Sequence, residues 1–179
     1  MTQDYCITFA GPVGCSKSPV AHYISTTFGW PIFSNDAIRH EVLEDTLHKE
    51  LDVELLEDRI AERSKLITQK PSSIIYDASQ DRHWDRFYAS FTKTPPYKFG
   101  VISFDLSPHF YKQLLEAKAY SATASTSRVR QVLEDHERFV EGHRDFIICS
   151  ITDATFPDRL YVAEEAVRKF TSDKTDDIR

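Results

Sequence analysis

Apolar residues along this chain alternate between short continuous runs and longer stretches in which they recur every three or four positions. "YCITFAG", residues 5–11, is an apolar run ending in glycine and predicts a buried strand. In "SPVAHYISTTFG" the residues Val20, Ile24 and Phe28 are four apart, a helical period that Gly29 closes. Pro19 is compatible with that helix because it falls in the first turn, where a missing N–H leaves no hydrogen bond unmade. "WPIFSND", 30–36, predicts a second strand with a polar exit. A long helical region from Asp36 to Thr68 follows, too long for one unbroken helix, with a break expected near Glu50 and an end at Lys70-Pro71.

The same pattern continues to the end of the chain. "SSIIYDAS", 72–79, predicts the third strand, and "RHWDRFYASF" a helix with Trp84, Phe87, Tyr88 and Phe91 along its core side. "YKFGVISFDL", 97–106, is the fourth strand. "SPHFYKQLLEAKAY" opens with Ser107 as N-cap and Pro108 in the first helical position. "SATASTS", 121–127, is small and polar and predicts a loop. A helix over 128–142 ends at Gly142, "DFIICSIT", 145–152, is the last strand, and "PDRLYVAEEAVRKF" the last helix. Strands that alternate with helices and are apolar on nearly every residue imply a parallel sheet covered on both faces. The expected fold is therefore α/β: a five-stranded parallel sheet flanked by helices, one domain over residues 1–179, with a lid around 118–130.

Composition narrows the setting. The 179 residues are 41% apolar, enough for a core, and carry a net charge of −6, which disfavours a general binder of nucleic-acid backbones. Cys6, Cys15 and Cys149 are odd in number and lack metal-ligand spacing, which points to a reducing compartment. The start has no basic leader and no run reaches membrane-spanning length, so the expectation is a cytoplasmic protein with no membrane partner. Nothing in the sequence sets the oligomeric state.

In such sheets ligands bind beyond the carboxyl ends of the strands, and the candidate chemistry falls there three times. After the first strand comes "GPVGCSKS": Gly11, Pro12, Val13, Gly14, Cys15, Ser16, Lys17 and Ser18. Glycines at 11 and 14 let backbone N–H groups converge on phosphate oxygens, and the following helix adds its positive end. Lys17 is placed to reach the outer phosphates and Ser18 to coordinate magnesium. Ser16 stands where such loops carry glycine, which is compatible with the loop if its backbone angles are right-handed or if its Cβ points away from the phosphate. ATP and Mg2+ are the expected ligands of the loop.

After the second strand, Asp36 and Arg39 share a helical face. They suit an acceptor hydroxyl and the acceptor's anionic group, or else a helix cap and a surface ion pair. After the third strand, Asp77 can hold a magnesium-bound water, since Ser79 and Asp81 can cap the next helix. Arg82, Lys118, Arg128 and Arg130 lie where charge could close over phosphates, with a solvated face as the alternative. The seven histidines show no paired metal spacing and are read as surface or packing residues.

Gly11, Gly14, Lys17, Ser18, Asp36, Arg39 and Asp77, taken in order, resemble the small phosphate-loop kinases of the "AAA domain, zeta-toxin-like" group. That group is similar to polynucleotide 5'-hydroxyl kinase, gluconate kinase and chloramphenicol phosphotransferase. "FSNDAIRHEV" resembles its D-x-x-R segment and "IIYDAS" its hydrophobic strand ending in an acid. The resemblance implies transfer of the ATP gamma-phosphate to a hydroxyl, with Lys17, Asp36, Arg39, Asp77 and a lid arginine such as Arg128 as catalytic residues. Ser18 and Asp77 would be the metal ligands. A small-molecule acceptor is expected first and a nucleic-acid end second. A nucleotide-binding module without transfer and a small ATP hydrolase are the alternatives.

Overall fold

The computed structural model describes residues 3–47, 50–70, 72–91, 96–118 and 126–172. Five parallel strands form one sheet: β1 (Tyr5–Ala10), β2 (Ile32–Phe33), β3 (Ile74–Ser79), β4 (Lys98–Asp105) and β5 (Ile147–Thr152). Their order is β2-β3-β1-β4-β5, with every neighbouring pair parallel. The first strand is thus central, and the loop that follows it emerges in the middle of the sheet edge. Among the described residues, seven α-helices accompany the strands: α1 (Lys17–Phe28), α2 (Asn35–Thr46), α3 (Val53–Thr68), α4 (Trp84–Ser90), α5 (Pro108–Ala117), α6 (Thr126–Gly142) and α7 (Arg159–Ser172).

The period-two pattern of the strands divides the core into two clusters. Ile7 and Phe9 of β1, Ile75 of β3 and Ile102 and Phe104 of β4 pack with Val20 and Ile24 of α1, Tyr111 and Leu115 of α5 and Val167 of α7. Cys6 and Ala10 of β1, Ile74 and Tyr76 of β3 and Val101 of β4 pack with Ile38 of α2 and Trp84 and Phe87 of α4. Both faces of the sheet are therefore covered, which is why its strands read as nearly continuous apolar runs. The aromatic row of α4 is part of this core, with Trp84, Phe87 and Phe91 buried and only Tyr88 largely exposed.

The local signals were mostly legible. Gly29 closes α1 in the left-handed conformation, at φ +68°. Ser107 caps α5 by accepting a hydrogen bond from the Phe110 N–H at 3.2 Å, with Pro108 in the first turn. The long helical region divides into α2 and α3, and Asp52 caps the second by accepting from the Leu55 N–H at 3.0 Å. Two boundaries shift. The second strand contains only Ile32–Phe33, because Ser34 already caps α2, accepting from the Ala37 N–H at 3.4 Å. That also removes the reading of Asp36 as a helix cap. Residues 119–125 of the expected lid lie outside the described residues, and α6 begins at Thr126, two residues earlier than its periodicity indicates. Among the described residues no helix is long and apolar enough to cross a membrane.

Candidate functional site: the phosphate loop and its surroundings

Residues 11–16 join the central strand to α1, and their carbonyls are turned into the protein. The Gly11 oxygen accepts from Lys17 Nζ at 2.7 Å and from the Ser79 hydroxyl at 2.8 Å. The Pro12 oxygen accepts from Lys17 Nζ at 2.7 Å and from the Cys15 N–H at 3.3 Å. The Tyr111 hydroxyl donates to the Val13 oxygen at 2.7 Å, and Lys118 Nζ to the Gly14 oxygen at 2.8 Å. Four consecutive carbonyls are thus held by protein donors. At the start of α1, Ser16 makes no side-chain cap bond and the first turn holds no acidic residue. The orphan N–H groups of that turn and the positive end of the helix dipole favour an anion there.

Gly11 is required by space. It has φ +136°, and a Cβ on it would stand 2.8 Å from the Cβ of Phe104 and 3.0 Å from the Cys15 sulfur. Ser16 corrects an expectation: its φ is +82°, in the left-handed region, so it does not take right-handed angles. Glycine is common in such loops because it enters this region without steric cost, whereas serine does so at a cost of roughly 1–2 kcal/mol. Cys15 is fully buried and serves as packing beneath the loop, and Val13 is exposed at its tip.

Ser18 and Asp77 meet at the foot of the loop. The Ser18 hydroxyl donates to the Asp77 carboxylate at 3.2 Å. Burial raises the Asp77 pKa, against the hydrogen bond from Ser18 and the charges of His22 and Lys17, while the charge of Asp36 raises it further. Asp36 is therefore electrostatically within reach of the same corner. It is exposed in the first turn of α2, and Arg39, one turn on, is also exposed. A hydroxyl and one carboxylate suit magnesium, which keeps most of its water and takes phosphate oxygens rather than an all-protein cage. Among the described residues there is no group of three or more His, Cys, Asp or Glu side chains that could hold a metal ion.

Of the basic residues expected around the loop, Lys118 bonds to it directly. Lys118 reaches the Gly14 carbonyl, and its pKa is lowered by burial, with Arg159 and Lys17 adding repulsion. The charge of Arg128 is felt at the Tyr111 phenol, whose pKa burial pushes up to about 12. Arg82 lines a small hollow with Gly11, Pro12 and Val13 and stands 3.9 Å from Asp135, whereas Arg130 is exposed and stands 3.5 Å from Glu134.

Beside the loop, a cavity of about 610 Å3 lies between α3, α4 and the end of β3. Tyr76, Phe87 and Phe91 line it together with Leu56 and Ile60 of α3. Ser79 and His83 line both this cavity and a smaller hollow containing Gly11, Pro12 and Val13. The cavity therefore borders, at Ser79 and His83, the hollow beside the phosphate loop. Asp36 and Arg39 do not line it, although their neighbour Asn35 does.

A third group was not anticipated. His136 is 4% exposed and lies between two carboxylates, with Nε2 2.7 Å from Asp105 and Nδ1 3.2 Å from Asp81. Asp81 accepts the Gly11 N–H on both oxygens, at 2.9 and 3.2 Å. It is thus a partner of the loop and not the cap of α4, whose N-cap is His83. His136 is correspondingly neither a surface residue nor simple packing. One signal was available: with Val129 and Leu133 it continues the buried stripe of α6, and a histidine on an apolar stripe needs polar partners.

By sequence the chain matches no protein-family profile and no curated protein. By structure it is similar to a gluconokinase from Sinorhizobium meliloti 1021, with TM-score 0.59 and 13% identity over 96% of this chain and 95% of that one. A kinase described as putative from Chloroflexus aurantiacus j-10-fl gives TM-score 0.61 and 15% identity over 98% and 100% of the two chains. Shikimate kinase from Acinetobacter baumannii gives 0.58 and 14% over 96% and 95%. The architecture is the α/β fold of the P-loop kinases.

Proposed function

We propose that this protein is an ATP- and magnesium-dependent phosphotransferase that moves the gamma-phosphoryl group to a hydroxyl of a small molecule. The observation that carries this reading is the phosphate loop itself. Its carbonyls from Gly11 to Gly14 are turned inward onto protein donors, and Lys17 and Ser18 follow at the start of a helix with no acidic first turn. Such an arrangement suits a polyphosphate. The likeness in fold to gluconokinase and shikimate kinase supports the same reading.

The residues divide the work as follows. Lys17 leaves the Gly11 and Pro12 carbonyls and neutralises the outer phosphates. Ser18 and Asp77 would hold magnesium, which would withdraw charge from the phosphate oxygens. Asp36 orients the acceptor hydroxyl and receives its proton as the bond from phosphorus to the ADP oxygen breaks and the bond to the acceptor oxygen forms. Arg39 grips an anionic group on the acceptor where one is present. Arg128 and Lys118 face the phosphates from the side of the lid and balance charge in the transition state.

The cavity beside β3 is the proposed seat of the acceptor's body, with its reacting hydroxyl extending past Asn35 at the rim toward Asp36 and Arg39 outside it. Its walls are Tyr76, Phe87 and Phe91 on one side and Leu56 and Ile60 on the other, while Arg86 at its rim is paired with Glu57 at 3.3 Å. Such walls favour an acceptor with an apolar or aromatic body over a polyanion, so a small molecule precedes a nucleic-acid 5' end. We read the protein as a member of the small kinases of the zeta-toxin-like group.

The test is a screen with gamma-labelled ATP against antibiotics, nucleosides, sugar acids and 5'-hydroxyl oligonucleotides. Label on an acceptor from the first two classes is the expected result. Release of free phosphate alone would make the protein a hydrolase, and binding without turnover a nucleotide-binding module. Once an acceptor is known, Asp36→Asn should hold ATP affinity within a few-fold while transfer falls by roughly 10²-fold, the scale of positioned acid–base groups. Near-normal transfer would remove Asp36 from the mechanism.

A further inference from the structure

Behind the phosphate loop, His136 links two strand ends that are not otherwise joined by charge. Both of its ring nitrogens face carboxylate oxygens, Nδ1 toward Asp81 and Nε2 toward Asp105. A neutral imidazole donates from only one nitrogen, so a ring bonded to two carboxylates carries both protons. Asp81 also takes the Gly11 N–H on both of its oxygens. Gly11 itself has little room, with Ser79 and Lys17 on its carbonyl and Phe104 against its Cα.

We propose that His136 is a positioning residue: as an imidazolium it ties Asp105 at the end of β4 to Asp81, and through Asp81 holds the first residue of the phosphate loop in place. This rests on the reading of that loop as the nucleotide site. His136 lies behind the loop and touches no substrate in this role; it acts through Asp81 and Gly11.

The surroundings favour the charged ring. Burial opposes its protonation, but the hydrogen bonds and charges of Asp105 and Asp81 outweigh burial and push its pKa up to about 9. Burial would likewise raise Asp105, yet bonds from His136, Ser103 and Ser150 hold it down at about 2. From β4, the Ser103 hydroxyl donates to Asp105 at 2.5 Å and stands 3.4 Å from the ring. From β5, Ser150 bonds Asp105 and Cys149 lies near it. The turn before α4 adds Arg82, which faces Asp135 of α6 rather than the ring, and Asp135 also pairs with Arg138. Arg144, Glu134 and Glu137 line a cavity of about 1150 Å3 onto which Asp105 and His136 open. Protons from solvent can thus reach the cluster from the side away from the loop.

The experiment is amide exchange of Gly11 followed by 15N NMR at one fixed pH, in the wild type, His136→Gln and Asp105→Asn. A second measurement is magnesium-ATP affinity between pH 7 and 9.5. Gly11 should exchange roughly tenfold faster in His136→Gln, the factor that corresponds to about 1.4 kcal/mol. The Val167 amide in α7 should be unchanged and so report an intact fold. Wild-type affinity should fall as pH approaches 9.5, while His136→Gln should bind more weakly at pH 7 and show a flatter profile. Lys17 is common to both proteins and cancels from that comparison. Equal Gly11 protection in His136→Gln and wild type overturns the proposal. If His136→Gln does not fold, Asp105→Asn decides, with faster Gly11 exchange supporting the role and unchanged exchange excluding it. If neither protein binds ATP, the nucleotide reading fails, and Gly11 exchange still settles whether His136 positions the loop.

Discussion

The ammonium of Lys17 is folded back onto the carbonyl oxygen of Gly11, six residues earlier, at 2.7 Å. The lysine thus stabilises the loop, and in the proposed nucleotide complex it would exchange two carbonyl partners for phosphate oxygens. Phosphate oxygens carry full charge and make the stronger contact. Lys17→Ala should weaken magnesium-ATP binding by roughly tenfold to a hundredfold, the equivalent of a lost charged hydrogen bond of about 1.5–3 kcal/mol. Titration calorimetry checks this, and unchanged affinity would remove Lys17 from the nucleotide site.

Ser16 holds a left-handed backbone without compensation from its side chain, which makes no cap bond to α1. Glycine removes that strain but frees the unfolded chain, which returns part of the gain. Ser16→Gly should therefore leave stability unchanged or raise it by up to about 1 kcal/mol, a Tm increase of at most roughly 2–4 °C for a chain of this size. Nucleotide binding should persist. A fall in Tm of the same size would reveal a contact made by the serine hydroxyl.

Asp77 is held at a cost in the folded protein. Its pKa is raised, chiefly by burial, so the folded state binds its proton more tightly than the unfolded state does. For a carboxylate shifted upward, that contribution to stability is present below the unfolded value of 3.8 and is lost as pH rises through the folded pKa. At pH 7 the charged group is therefore destabilising. Asp77→Asn should raise the Tm of the protein without ligand and abolish the further rise that magnesium-ATP is expected to give the wild type. Calorimetry with and without ligand measures both, and a lower Tm in the ligand-free variant would contradict the first expectation.

The His136 bridge predicts an alkaline loss of stability. Its pKa is about 9 against an ordinary 6.5, so its contribution is complete below pH 6.5, declines above it and is gone beyond about pH 9. Asp105, held at about 2 against 3.8, gives a contribution that is present above 3.8 and lost as pH falls through about 2. Urea unfolding at pH 6, 7.5 and 9.5 should show the wild type losing on the order of 1–3 kcal/mol across the series. His136→Gln should lose distinctly less. Parallel losses in the two proteins would assign the alkaline effect to other groups.

Much of this could be read from the sequence by itself, because local rules govern it. The phosphate loop is contiguous, so the spacing of Gly11, Gly14, Lys17 and Ser18 was visible without a fold. Ser107 and Gly29 announced helix ends through their own chemistry, and apolar runs such as "VISF" marked strands buried on both faces. Tertiary structure decided what depends on distance in space. Ser18 meets Asp77 across 59 residues and Lys118 meets Gly14 across 104, because β3 pairs with β1 and α5 folds back beside the loop. The left-handed angle of Ser16 was not visible because serine ordinarily avoids it, and only the need to connect β1 to α1 imposes it. The cluster of Asp81, His136 and Asp105 draws its residues from the turn after β3, from α6 and from β4. No spacing along the chain encodes it; burial beneath the loop gives a lone histidine two acidic partners, because a charge taken out of water must be paired.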